Sequence, residues 1–285
     1  MVGVAKAGTT NLHMLLANHP EVFMSTPKEP HFLAAPESTP EAAYSLNAVR
    51  DEASYLRMFS RATEPLRGES STTNWWRAET APRIDAFSPG SKVVVILRNP
   101  VERAYSHYLN DVRDSHESRP FGATLPDERP GLRALRWGDP LIRVELGFYS
   151  ERLRVYREVF AERLLVLFSE ELFAEPADQL QVVTDFLKIQ HAPASKPTLI
   201  GRTNAHRVPR NRLARRVLRS GGIRRAGRWL VPQRLRDRGY ESLMRGQAKP
   251  EMDAESRARL ELLYADDREE LTRMLGRSVP WKRGY

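Results

Sequence analysis

The chain has 285 residues, of which 41% are hydrophobic and 28% charged, with a net charge of +9; this suits one large soluble α/β domain or two small ones. No apolar run approaches the ~20 residues of a membrane helix, and the start lacks a basic stretch leading into an apolar one, so neither membrane insertion nor a signal peptide is expected. With no cysteine, disulfides, thiolate metal sites and cysteine nucleophiles are excluded, and the expected setting is cytoplasmic.

Residues 2–4 (VGV) predict a short buried strand, and GVAKAGTT (3–10) turns from it into a helix with Leu12, Leu15 and Leu16 on one face. Asn18 and Pro20 stop that helix. EVFM (21–24) predicts a second strand with STPKEPHFL (25–33) as its exit loop. Residues 36–67 are punctuated by prolines and helical around 52–62, and GESSTTNWW (68–76) reads as a polar loop. KVVVILRNP (92–100) holds the clearest buried strand, with Asn99 as N-cap and Pro100 as first residue of the helix VERAYSHYLNDVRD. Residues 115–140 predict a long loop, 147–160 an amphipathic helix, LLVLFSEEL (164–172) a buried strand with an acidic exit, and 176–188 a further helix. Between Arg202 and Arg238 stand thirteen arginines and one acid, a surplus that leaves about −3 for the rest of the chain. Residues 250–276 predict one charged amphipathic helix.

Strands alternating with helices predict a parallel sheet covered on both faces, with ligands beyond the carboxyl ends of the strands. Three predicted loops leave those ends: VAKAGTT, TPKEPHF and RNP. The first departs from a Walker A loop, G-x-x-x-x-G-K-[ST], because Thr9 stands where the lysine belongs and Lys6 lies inside the loop. Gly8 lets the chain turn closely around an anion, Thr9 and Thr10 add hydroxyls at a helix start, and Lys6 adds an ammonium. No aspartate ends the 92–97 strand to support magnesium, so the loop suits a group needing less neutralisation than a triphosphate. Glu29 leaves the neighbouring strand, where it can face Lys6 across the crevice, and His31 can point the same way. A cation near a leaving group and a carboxylate near an acceptor suit general-base-assisted group transfer. For Arg98, an ion pair to Glu102 or Glu170 is the structural alternative.

These residues carry a resemblance. VGVAKAGTTNLHMLLANHPEVFMSTPKEPHFL resembles the opening of sulfotransferases that use 3′-phosphoadenosine 5′-phosphosulfate (PAPS), nearer the heparan-sulfate and bacterial branch than the steroid and phenol branch. RNPVERAYSHY resembles the family's second motif, R-x-P-x-x-R-x-x-S, and LIGRTN its glycine–basic loop. The resemblance implies a three-layer P-loop-type α/β fold with a central parallel sheet flanked by helices, one domain over 1–285 with a basic helical part from about 202. It implies that Lys6, Ala7, Gly8, Thr9 and Thr10 hold the 5′-phosphosulfate, with Arg98, Ser106, Gly201 and Arg202 around the 3′-phosphate. It implies Glu29 as general base with Lys6 and His31 assisting, adenosine 3′,5′-bisphosphate (PAP) as product, and no required metal. Two positions depart from the pattern: Ala34 stands where the family has an acid, and the E-K-T-P loop reads ESSTTNW.

The expected activity is therefore PAPS-dependent transfer of a sulfuryl group to a hydroxyl or amine of a carbohydrate or small-molecule acceptor. An atypical P-loop kinase or NTPase is the alternative enzyme. A polyanion-binding protein is a third class, and the scarcity of aromatics in 202–238, essentially Trp229, argues against nucleic acid. Trp75, Trp76 and Trp137 are candidates for stacking on an acceptor, against the plainer expectation that they pack in the core.

Overall fold

The computed structural model describes residues 1–34, 48–114, 116–131, 139–190, 207–209, 244–246 and 249–281. Among the described residues six strands are present: β1 (Val22–Met24), β2 (Leu66–Gly68), β3 (Val93–Leu97), β4 (Leu164–Phe168), β5 (Arg207–Pro209) and β6 (Met244–Gly246). Every residue of β3 is buried, as its unbroken VVVIL run demands of a strand covered on both faces. β3 pairs in parallel with β4, Val93 opposite Leu164 through Leu97 opposite Phe168. On its other side lie residues 2–4, whose Val2 and Val4 N–H groups donate to Val94 and Ile96 carbonyls at 3.0 and 2.9 Å.

β1 and β2 pair in parallel, Val22 opposite Leu66. The chain leaving β2 joins this pair to the rest: Met1 donates to the Glu69 carbonyl at 2.7 Å, and Ser71 N–H returns a bond to Met1 at 3.2 Å. The lateral order is thus β1, β2, residues 2–4, β3, β4, all parallel. β5 and β6 form a separate antiparallel pair. β2 corrects the sequence reading, which placed its residues in a mixed helical stretch and a polar loop. Its LRG run is only partly buried and lacks any apolar pattern.

Ten α-helices accompany the strands among the described residues. They are α1 (Thr9–Ala17), α2 (Glu52–Arg57), α3 (Thr80–Phe87), α4 (Pro100–Arg113), α5 (Ile142–Glu145), α6 (Ser150–Phe160), α7 (Ser169–Ala174), α8 (Pro176–Leu187), α9 (Ala254–Leu263) and α10 (Ala265–Leu275). α1 packs on β1, α6 on α3, β4 and α10, and α8 on β4. Parallel strands flanked by helices make the three-layer α/β arrangement expected from the sequence. A second, smaller core joins α4, α5 and α9 through Val101, Tyr105, Phe121, Phe148 and Tyr264.

Two further readings change. SEEL, expected as the exit of a strand, opens α7 instead, with Glu170 and Glu171 in a first turn that favours negative charge. The segment 250–276 is two helices, because buried Tyr264 interrupts it (φ −95°, ψ 3°) and donates its hydroxyl to the Val144 carbonyl at 2.7 Å. Trp75 is a core residue: it is fully buried, its ring is 5.3 Å from that of Tyr156, and a Cβ on Gly3 would approach its Cβ to 2.7 Å. Trp76 lends its carbonyl to Arg152 at 3.1 Å. Trp137 and the arginine-rich 202–238 stretch fall almost wholly outside the described residues.

Candidate active site

A parallel sheet delivers every strand exit to one edge. Lys6 follows residues 2–4, Glu29 follows β1, residues 69–73 follow β2, and Arg98 follows β3. The side chains there form two groups, one cationic and one centred on a carboxylate.

The cationic group is organised by the turn into α1. Gly8 is the N-cap of α1 at φ 96°, in the left-handed region, and a Cβ there would meet the Phe173 ring at 3.0 Å. No side chain caps this helix. Among the described residues, the backbone N–H groups of Gly8, Thr9 and Thr10 make no hydrogen bond, whereas Ala7 N–H closes the turn on the Val4 carbonyl at 3.1 Å. Ala7 is fully buried and offers no donor to a ligand; it shapes the turn. A helix start with open donors is an anion cradle.

Lys6 lies inside this turn at φ 72°, and its ammonium donates to Asn110 Oδ1 of α4 at 3.1 Å. Burial, and then the nearby Arg113 and Arg98, lowers its pKa to about 8. Arg98 donates to the Lys6 carbonyl at 2.8 Å. Its guanidinium enters no ion pair among the described residues: Glu102 instead binds Lys249 and Arg257, and Glu170 accepts from Asn99 N–H and Trp281. The ion pairs left open in the sequence do not form. Asn99 caps α4 through its side chain, accepting from Val101 and Glu102 N–H, with Pro100 at the first position. Ser106 is half-buried on the same helix, one turn before Asn110.

The second group surrounds Glu29. One carboxylate oxygen, Oε1, accepts from Lys28 at 2.5 Å, and Oε2 accepts from the Thr72 hydroxyl at 3.1 Å. His31 Nε2 is 3.5 Å from that same oxygen, and its Nδ1 is 2.8 Å from Thr73 Oγ1. Burial lowers the His31 pKa, so the ring is neutral at pH 7. On α1, His13 Nδ1 is 2.9 Å from Ser70 Oγ, and burial lowers its pKa to about 4. Glu29 and His31 sit at φ 62° and 56°. With Lys6 they make three of the five non-glycine residues at positive φ among those described, a conformation costing on the order of 1–3 kcal/mol each. Such outliers gather where function needs a side chain aimed against the chain's preference.

The structure therefore brings Lys6, Gly8, Thr9, Thr10 and Arg98 together, and separately Glu29 with His31. Lys6 turns toward α4 rather than toward Glu29, and no hydrogen bond joins the groups among the described residues. Gly201 and Arg202 lie outside the described residues. Sequence reasoning missed Asn110, which stands one turn after Ser106 in the motif helix. It also gave no role to the hydroxyls of residues 70–73, which belong to the loop that departs from the family pattern. Among the described residues, no cluster of three His, Asp or Glu side chains is placed to hold a metal, and no helix is long and apolar enough to cross a membrane.

Comparison with known proteins adds a lineage. The family model described as "Sulfotransferase family" matches residues 1–193. Mouse heparan sulfate glucosamine 3-O-sulfotransferase 3A1 is 27% identical over 69% of this chain and 47% of its own length. The Xenopus laevis bifunctional heparan sulfate N-deacetylase/N-sulfotransferase 1 is 27% identical over 99% of this chain and 30% of its own length. The chain thus spans about half or less of these relatives. A sulfotransferase crystal structure from Alicyclobacillus acidocaldarius superposes with a TM-score of 0.72 at 24% identity, covering 98% of this chain and 95% of the other, and so shares the fold.

Proposed function

The chain belongs to the sulfotransferase family, and from that premise we propose that it transfers a sulfuryl group from PAPS to a hydroxyl or amine of an acceptor, a glycan of the heparan-sulfate kind before others. The glycan is suggested by the names of the relatives, which act on heparan sulfate. The observation that carries the reading is the open cradle, with Lys6 inside the turn. Among the described residues, three N–H groups at the start of α1 meet no hydrogen-bond acceptor, and the Arg98 guanidinium bonds the Lys6 carbonyl but meets no ion-pair partner. These residues fit an anionic nucleotide. Gly8, Thr9, Thr10 and Lys6 would bind the 5′-phosphosulfate, and Arg98 with Ser106 the 3′-phosphate.

PAPS supplies an activated sulfuryl group and a stable leaving bisphosphate. The chain supplies position and proton handling. The acceptor oxygen forms a bond to sulfur as the bond from sulfur to the phosphate oxygen breaks. Glu29 takes the acceptor proton, and Lys6 stabilises the charge left on the phosphate oxygen. Neutral His31 faces Glu29 Oε2 and limits how the carboxylate turns. A sulfuryl group carries less charge than a phosphoryl group, so lysine and main-chain donors suffice in this scheme.

Incubation of the protein with sulfur-35-labelled PAPS, with heparan sulfate and with extracts of the source organism, tests the proposal. Label is expected to move to a glycan or other acceptor, with one PAP released per transfer. PAPS that binds but yields no labelled product with any acceptor, alongside turnover of magnesium–ATP, overturns it.

A further inference from the structure

The loop ESSTTN (69–74) is the motif that family resemblance leaves without a role, and its four consecutive hydroxyl residues all engage the carboxylate side of the site. Ser70 Oγ meets His13 Nδ1 at 2.9 Å. Ser71 Oγ accepts from His31 N–H at 3.0 Å and donates to Glu69 at 2.7 Å. Thr73 Oγ1 meets His31 Nδ1 at 2.8 Å. Thr72 donates to Glu29 Oε2 at 3.1 Å, and so touches the carboxylate itself.

We propose that Thr72 is the positioning residue of Glu29, setting which carboxylate oxygen is left to take the acceptor's proton; this rests on Glu29 being the base. The backbone of Glu29 has its own anchor, N–H to the Ser70 carbonyl at 3.0 Å, so the loop stays closed without the Thr72 hydroxyl. What that hydroxyl adds acts on the carboxylate alone. It sits at the start of a short 3₁₀ helix, Thr72–Trp75, which is pinned from below. Trp75 is fully buried, Tyr156 donates to the Asn74 carbonyl at 2.6 Å, and Asn74 donates to half-buried Glu69 at 2.7 Å. A donor on a rigid element holds its acceptor in one rotamer, where the flexible Lys28 on Oε1 cannot. Oε1 thus faces Lys28, while Oε2 faces the Thr72 hydroxyl with His31 Nε2 at 3.5 Å.

The test is Thr72→Val, which keeps the side chain's shape and removes the donor, beside Thr72→Ser, which restores it. Two readouts separate positioning from folding. PAP binding by calorimetry is expected to match the wild type in both variants, since the cradle is built from other residues. The acceptor's KM is expected to stay within about twofold of the wild type in Thr72→Val, because the hydroxyl touches the carboxylate and not the nucleotide cradle. kcat falls about tenfold, and Thr72→Ser recovers it. A Thr72→Val protein with wild-type kcat overturns the proposal, and so does a Thr72→Ser that fails to recover turnover. Glu29→Gln distinguishes the two levels. If it turns over like the wild type, the base assignment fails; if it is inactive while Thr72→Val is fully active, only Thr72's role fails.

Discussion

The cradle around Lys6 and Arg98 takes its shape largely from main chain, whereas the Glu29 carboxylate and the His31 ring are met largely by side chains. On the cationic side, a glycine at positive φ turns the chain, a helix start presents its own N–H groups, and Arg98 is fastened to a backbone carbonyl. On the carboxylate side, two residues at positive φ are held by hydroxyls from another strand's exit. A cradle made of backbone survives most side-chain changes around it, and binds whatever anion fits. A carboxylate aimed by a few hydroxyls has a reactivity that single substitutions can alter. The two sides should therefore fail independently, one in affinity and one in rate.

The largest separation is expected from Glu29→Gln. Removing the base costs about 10²–10⁴ in kcat while calorimetry finds PAP affinity within about twofold of the wild type. Equal losses in rate and affinity would merge the two sides into one network. Arg98→Ala comes next: losing a charged donor to a phosphate is expected to weaken PAP binding by roughly a hundredfold. Lys6→Ala should do the same. The smallest effect is in pH. Burial and neighbouring arginines depress Lys6 from 10.5 to about 8, so the free cradle loses its ammonium as pH rises through 8. A bound anion favours the charged form, so binding takes up a proton above pH 8, and affinity is expected to fall up to about tenfold per pH unit there. In Lys6→Ala that slope should vanish, and a slope that persists would assign the titration to another group.

The same division decides what was legible in the sequence. Gly8, Arg98 and the Asn99–Pro100 helix start were readable because backbone geometry restricts which residues can stand there, and the restriction repeats as a motif. β3 was readable because a strand covered on both faces must be apolar throughout. β2 was not, since three residues of which none is buried, ending in glycine, carry no apolar period, and pairing with β1 is what makes them a strand. The break at Tyr264 was hidden for a similar reason: its cause is a carbonyl 120 residues away, at Val144. Around Glu29 the sequence pointed to the carboxylate but not to its partners. Thr72 is 43 residues distant, and a serine–threonine run has no helical or strand signature that distinguishes a positioning loop from a solvated one. Residues 202–238, the most charged stretch of the sequence, mostly lie outside the described structure, and their part in binding rests on composition alone.

The central claim is that the cradle is built for a nucleotide bisphosphate rather than for a metal-chelated triphosphate. The most direct measurement is isothermal titration of the wild-type protein with PAP in chelator, compared with magnesium–ATP under the same conditions. PAP is expected to bind in the micromolar range without metal, and magnesium–ATP far more weakly. Absent heat with PAP, together with tight binding of magnesium–ATP, would contradict it.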